Sequence, residues 1–240
     1  MNRCHFPSSR RTTLAALTLA LGAPGLLFTR TALAQLAALS ESDASAGLKG
    51  ALESGATAAV KLLGRTDGFW GNDKVRIPLP EWLRRSERVL KLAGLGNDID
   101  ALKLGVNRAA EQAVPLAQPI LIDAVKSMTV TDAKAILTGG DDSVTQYFAS
   151  KTRAPLAERF LPIVKQTTEK IGLAQQYNGL VDQAGKFGVS GGGVVRIENF
   201  VTDKALDGLF FMIGAEERKI RSDPVGASSA IVRKVFGALK

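Results

Sequence analysis

Two polar clusters hold the side chains from which this chain could build a reactive or ligand-binding site. The first is Asn107-Arg108-Ala109-Ala110-Glu111. Asn107 and Glu111 stand one helical turn apart, and Arg108 reaches Glu111 from three residues away. An amide, a guanidinium and a carboxylate in that spacing can clamp a ligand amide or carboxylate, or tie a helix to its neighbour. The second cluster is Glu216, Glu217 and Arg221. Leu206, Phe210, Ile213 and Ile220 recur on one helical face, and Glu217 falls on it, four after Ile213 and three before Ile220. A carboxylate on an apolar stripe needs a partner, because its desolvation alone is strongly unfavourable. Arg221 stands one turn later in the favourable Glu-to-Arg order. The pair reads as an internal ion pair or as a ligand-facing site completed by Glu216. Were the two clusters to meet across a helix interface, they would form one buried network fixing helix register.

Paired carboxylates hydrolyse glycosides without histidine, which keeps Glu111, Glu216, Glu217 and Asp207 open for that chemistry, with Tyr147 or Tyr177 as helpers. Nothing in their spacing sets the separation of roughly 5 or 9 Å that such pairs require. Asp141-Asp142 lacks the alternating ligands of a calcium loop and reads as a helix cap. Gly191-Gly192-Gly193 is followed by no Gly-Lys-Ser/Thr and is no phosphate cradle. Phe69 and Trp70 are either anchors of a long loop or an exposed aromatic contact, the anchor being the commoner role.

The N-terminal segment narrows the chemistry further. Arg3, Arg10 and Arg11 form a basic head, residues 14–28 are almost wholly apolar, and Ala32-Leu33-Ala34 supplies small residues for a signal peptidase. The apolar run is shorter than the roughly 20 residues a membrane span needs. Residues 1–34 therefore read as a signal peptide cleaved near Ala34-Gln35, which predicts a periplasmic protein with no transmembrane segment. Ser9-Arg10-Arg11-Thr12-Thr13-Leu14 partly resembles a twin-arginine export signal, with Thr13 in place of the usual aromatic, so both export routes stay open.

Cleavage removes Cys4 and His5, the only cysteine and the only histidine of the 240 residues. The remainder has no disulfide, no thiol nucleophile, no imidazole base and no ordinary zinc, copper or haem site. The sequence accordingly predicts no metal and no cofactor. Cleavage also removes four arginines and no acid, lowering the formal charge from +8 to +4. With the basic residues of the C-terminal helices interleaved with acids, no nucleic-acid partner is expected. Peripheral attachment to anionic lipid would need a concentrated basic helix face, and the mixed charges argue against it.

These side chains must be positioned by helices. Apolar residues recur at three- and four-residue steps nearly throughout, and alternation of strand period is almost absent. The expected helices are 44–63; 81–93, opened by Pro80 and stopped by Gly94; and one capped by Asn97 and broken or bent at Pro115, with a continuation to about 128. A short turn follows, capped by Thr131 and ending at Gly139-Gly140. Then come a helix capped by Asp141, another over 154–171 kinked at Pro162, and one over 173–186. The glycine-rich stretch 188–193 precedes a helix over 202–221, and Asp223-Pro224 caps the last, which ends near Gly237. Residues 64–79 form a loop, with Val75-Arg76-Ile77 extended. The fold class is all-α: one compact bundle of about eight to ten helices over residues 35–240, with short connections between antiparallel neighbours.

Several segments together resemble a bacterial exported family designated domain-of-unknown-function family 4197. They are Gly47-Leu48-Lys49, Ile77-Pro78-Leu79-Pro80, Asn107-Arg108-Ala109-Ala110-Glu111, Asp132-Ala133-Lys134-Ala135-Ile136-Leu137-Thr138-Gly139 and Tyr147-Phe148. To these add the long block from Val201-Thr202-Asp203-Lys204-Ala205-Leu206 through Glu216-Glu217, Ile220-Arg221 and Asp223-Pro224, which is the most specific part. The chain departs from the family pattern at Asp223, where Asn is usual, and at the triple glycine, where a short proline-containing segment is usual. The resemblance implies a helical envelope protein and supplies no mechanism.

Taken together, the residues predict a non-catalytic binding or interaction module of the envelope, whose partner is an envelope protein or a small ligand. The alternative is a carboxylate-dependent hydrolase acting on glycan or an envelope polymer. The two differ in whether Glu111, Glu216 and Glu217 line an open cleft or are sealed between helices.

Overall fold

The computed structural model describes residues 38–131, 133–188 and 196–240. The segment 1–34 expected to be a signal peptide, Asp132 and the triple glycine lie outside the described residues. Nine α-helices and no strand occur among the described residues: α1 (Glu41–Leu63), α2 (Glu81–Leu92), α3 (Gly96–Leu116), α4 (Gln118–Ser127), α5 (Ala133–Leu137), α6 (Ser143–Lys170), α7 (Leu173–Lys186), α8 (Ile197–Ser222) and α9 (Ala230–Gly237). The all-α expectation is met, and no helix among the described residues is long and apolar enough to cross a membrane.

The core is built on α8, which packs most extensively on α1 and α6 and also touches α3, α7 and α9. Helix α1 buries Leu48, Leu52, Val60 and Leu63 together with Gly47, Ala51, Gly55 and Ala59. Its small residues let neighbours approach. A Cβ on Gly47 would stand 2.5 Å from Val235 Cγ2 of α9, and one on Gly55 would stand 3.3 Å from Ile213 Cγ2 of α8. Ser40 starts α1 as a true side-chain cap, its Oγ accepting Asp43 N–H at 3.0 Å. Gly94 ends α2 at φ +87°, with Gly94 N–H bonded to Lys91 O and Leu95 N–H to Leu90 O, the paired closure that favours glycine there.

Several expected boundaries move. Asn97 is no cap: it lies in the first turn of α3, which follows Leu95. The break expected at Pro115 falls at Ala117 instead, where Pro119 occupies the first turn of α4. The helices expected around 141–148 and 154–171 are one 28-residue helix, α6, running through Pro155 and Pro162. Each proline removes one backbone donor, and packing of α6 against α8, α3 and α4 outweighs that loss. Helix α8 begins at Ile197, five residues before Thr202. Asp223 does not cap α9, which follows Ser229; its Oδ1 accepts Gly226 N–H at 3.3 Å in the intervening turn.

Candidate functional site

The Asn107 cluster faces the loop 64–80, and each of its three polar side chains has protein partners. Glu111 is 3% exposed; its Oε1 accepts the backbone N–H groups of Phe69 and Trp70, both at 3.0 Å. Its Oε2 accepts Arg108 Nη1 at 2.6 Å, and Arg108 Nη2 donates to Asp67 Oδ1 at 2.7 Å. The hydrogen bond to Glu111 is the main reason that Arg108 binds its proton more tightly than usual; burial opposes this and Asp67 adds to it. Asn107, fully buried, treats Ile77 as a strand neighbour would. Its Oδ1 accepts Ile77 N–H at 2.8 Å, and its Nδ2 donates to Ile77 O at 2.9 Å. One turn of α3 thus holds a long loop at two points, satisfying backbone groups that no regular structure pairs.

That loop carries the aromatic pair. Phe69 is fully buried against Gly208 of α8, where a Cβ would come within 2.6 Å of its ring. Trp70 is half-buried; Arg76 stacks 5.2 Å from its ring and donates Nε to Trp70 O at 2.6 Å. Phe69 is therefore an anchor, and Trp70 edges a cleft of about 590 Å³ with Ile77, Pro78, Leu79 and Leu104.

The second cluster sits at the start of α6. Glu217, 3% exposed, accepts Val144 N–H at 3.1 Å, Thr145 N–H at 2.8 Å and Thr145 Oγ1–H at 2.7 Å. It performs the task assigned to Asp141 in the sequence reading, but from another helix. A carboxylate there meets both the free amides and the positive end of the α6 dipole. Asp142, which precedes α6, makes no cap bond and pairs instead with Arg218 at 3.1 Å.

Arg221 completes the arrangement. Its Nε and Nη2 donate to Glu217 Oε1 at 2.9 and 2.8 Å, its Nη1 to Leu137 O at 2.9 Å, and Nη2 also to Ser143 Oγ at 2.8 Å. The guanidinium also lies 5.4 Å from the Phe236 ring. One ion pair therefore joins α5, α6, α8 and α9.

Among the described residues no hydrogen bond or ion pair links this cluster to the Asn107 cluster; they are two separate networks. Glu216 stands apart from Glu217. It points into an open cleft of about 550 Å³ shared with Asp223, Ser54 and Ser229, and Lys219 Nζ donates to its Oε1 at 2.6 Å. Of the two tyrosines, Tyr177 is buried, accepts a hydrogen bond from Trp82 Nε1 at 3.1 Å, and has its phenol pushed up by burial. Tyr177 also lines a cleft of about 360 Å³ with Lys165, Arg196 and Glu198. Tyr147 borders another cleft, of about 490 Å³, and donates to Thr129 O. No group of three His, Cys, Asp or Glu side chains that could hold a metal occurs among the described residues.

The sequence reading passed over Lys151 and Arg159, which line the Tyr147 cleft on either side of Pro155. Their positions are four residues from Pro155 in each direction, a signal legible only once 143–170 is taken as one helix.

No curated protein and no solved structure matches the chain. A family model described as protein of unknown function (DUF4197) matches residues 38–237. That stretch runs from the start of the described residues to the end of α9 and includes the α3 clamp on the loop, the Glu217–Arg221 junction and the clefts described above. The chain belongs to domain-of-unknown-function family 4197.

Proposed function

We propose that the mature chain, residues 35–240, is exported beyond the inner membrane and serves there as a non-catalytic binding module. The address rests on the succession of basic residues, apolar run and Ala32-Leu33-Ala34 in the N-terminal sequence. The non-catalytic reading rests on one observation: both oxygens of each buried carboxylate are already engaged by protein donors. Glu111 accepts two backbone amides and Arg108, and Glu217 accepts two amides, a hydroxyl and Arg221. A general acid or nucleophile needs a lone pair or proton facing substrate, and neither group faces a cleft. The clefts are lined by hydroxyls, long cationic side chains and apolar residues, and two of them also by carboxylates, Glu216 with Asp223 and Glu87 with Asp100, a mixture suited to holding a ligand.

The test is expression of the full chain in a bacterial host, followed by periplasmic release, intact-mass measurement and mass spectrometry of what co-purifies. The expected outcome is a polypeptide starting at or near Gln35 that carries a bound small molecule or protein. Functional material that keeps residues 1–34 would overturn the address. Hydrolysis of a glycan or envelope polymer that disappears in Glu216→Gln would establish the hydrolase alternative.

A further inference from the structure

Three of the clefts among the described residues differ in how their charges are compensated, and that difference selects a ligand for one of them. Beside Trp70, Arg76 pairs with Asp73 at 2.8 Å and Lys103 with Glu87 at 2.6 Å. Beside α9, Glu216 is held by Lys219. Those charges already have partners. The third cleft, of about 490 Å³, lies between α4, the segment after it and α6, and no carboxylate is among its described lining residues.

Two cations line it, Lys151 and Arg159. Among the described residues the Lys151 ammonium makes no ion pair and no hydrogen bond; it sits 5.7 Å from the Tyr147 ring. The nearest described carboxylate to Arg159 is Asp123 at 3.9 Å, with both side chains more than half exposed, so water screens that attraction. Lys151, Pro155 and Arg159 form an i, i+4, i+8 row along α6, which places the cations roughly 12 Å apart along its axis. Between them run Pro155 and Leu156, faced by Met128. Between the two cations the cleft carries an apolar strip, with Ser127, Thr129, Thr131 and Thr152 among its other lining residues. Neutral apolar molecules would leave the cations uncompensated, and small inorganic anions would leave the apolar strip unused.

We propose that this cleft binds an amphiphilic anion, an alkyl chain bearing a carboxylate or phosphate, with the chain along Met128, Pro155 and Leu156 and the head group at Lys151. Arg159 strengthens the positive field from the far end. This rests on the reading of the chain as a binding module and names what one cleft takes.

The experiment is calorimetric titration of mature protein with decanoate, decyl phosphate and decyl maltoside, each below its micellar concentration. Both anions bind at one site per chain, and decyl maltoside binds at least about tenfold more weakly, because it offers no charge to Lys151. A preference for decyl phosphate assigns a phospholipid-like head group, and a preference for decanoate assigns a fatty acid. Lys151→Met weakens the anions about tenfold or more, Lys151→Arg restores binding to within a few-fold, and added salt weakens it. Lys151 is exposed, so neither variant disturbs the core. Equal affinity for decyl maltoside and decanoate, or anion binding indifferent to Lys151→Met, overturns the assignment. Recovery of a different ligand from the periplasm, with no saturable binding of either anion, overturns it while leaving the binding-module reading intact. Recovery of nothing, with no binding of either anion, removes both.

Discussion

Glu217 is a buried carboxylate that works as a joint. Its five acceptor contacts come from α6 and from Arg221, which is itself only 14% exposed. Glu217→Gln replaces one oxygen with an NH₂ group that faces donors, and leaves the Arg221 charge without its counter-ion. Breaking a buried pair in this way costs about 3–5 kcal/mol. The melting temperature should therefore fall by many degrees, while the helix content of the folded state stays the same. An unchanged melting temperature together with loss of ligand binding would move Glu217 from the framework to the site. Replacing both partners by apolar residues, as in Glu217→Leu with Arg221→Met, should cost less than Glu217→Gln alone, because no unpaired charge is left behind. Thermal melts of the three proteins test that ordering.

Among the elements, the loop 64–80 and the α1–α9 contact show how single side chains govern larger pieces. The loop has no ladder of its own, and α3 supplies its partners through Asn107, Arg108 and Glu111. Glu111→Ala should leave the helices folded while removing hydrogen-exchange protection from the Phe69 and Trp70 amides, read residue by residue by NMR. Protection that persists in that variant would mean that Phe69 packing alone holds the loop. At the α1–α9 contact, a Cβ added to Gly47 would stand 2.6 Å from the Val235 Cβ. Gly47→Ala gains helix propensity but drives a methyl into a stiff β-branched side chain, with an expected net loss of about 1–3 kcal/mol. Adding Val235→Ala should recover part of that loss in urea unfolding, and a purely additive double variant would contradict the contact.

On the scale of the whole molecule, stability should fall on acidification. The hydrogen bonds from Lys103 and then from Lys91 hold Glu87 below its usual carboxylate range. Burial pushes Asp207 upward, but Lys204 and Arg153 outweigh it and its carboxyl is also lowered. A lowered folded-state value means that the stabilisation is complete above the unfolded value and is lost as pH falls through the folded one. Urea midpoints should therefore drop below about pH 4.5, and the decline should be shallower in Glu87→Gln. Equal slopes for the two proteins would show that Glu87 is not linked to folding. His5, the only histidine, lies in the segment expected to be removed, so no imidazole titration should add a step near neutrality.

Helix periodicity, capping glycine and the anomaly of Glu217 on an apolar stripe are local properties, and the sequence alone determined them. Apolar spacing places α1, α2 and α7 close to where they lie, and Gly94 ends α2 because its backbone turns left-handed there. The solvation cost of a carboxylate is enough to announce that Glu217 has a partner. Which partner is a matter of three dimensions. Arg221 was visible at i+4, but the amides of Val144 and Thr145 lie more than 70 residues away in the chain. Continuity of α6 through two prolines was likewise decided by packing, since each proline argues locally for a break and only α8, α3 and α4 argue against it. That misjudged break also hid the row of Lys151, Pro155 and Arg159, because side chains share a face only if one helix carries them. Whether a polar cluster is a framework or a site depends on what lies opposite it, and the chain brings those groups together only on folding.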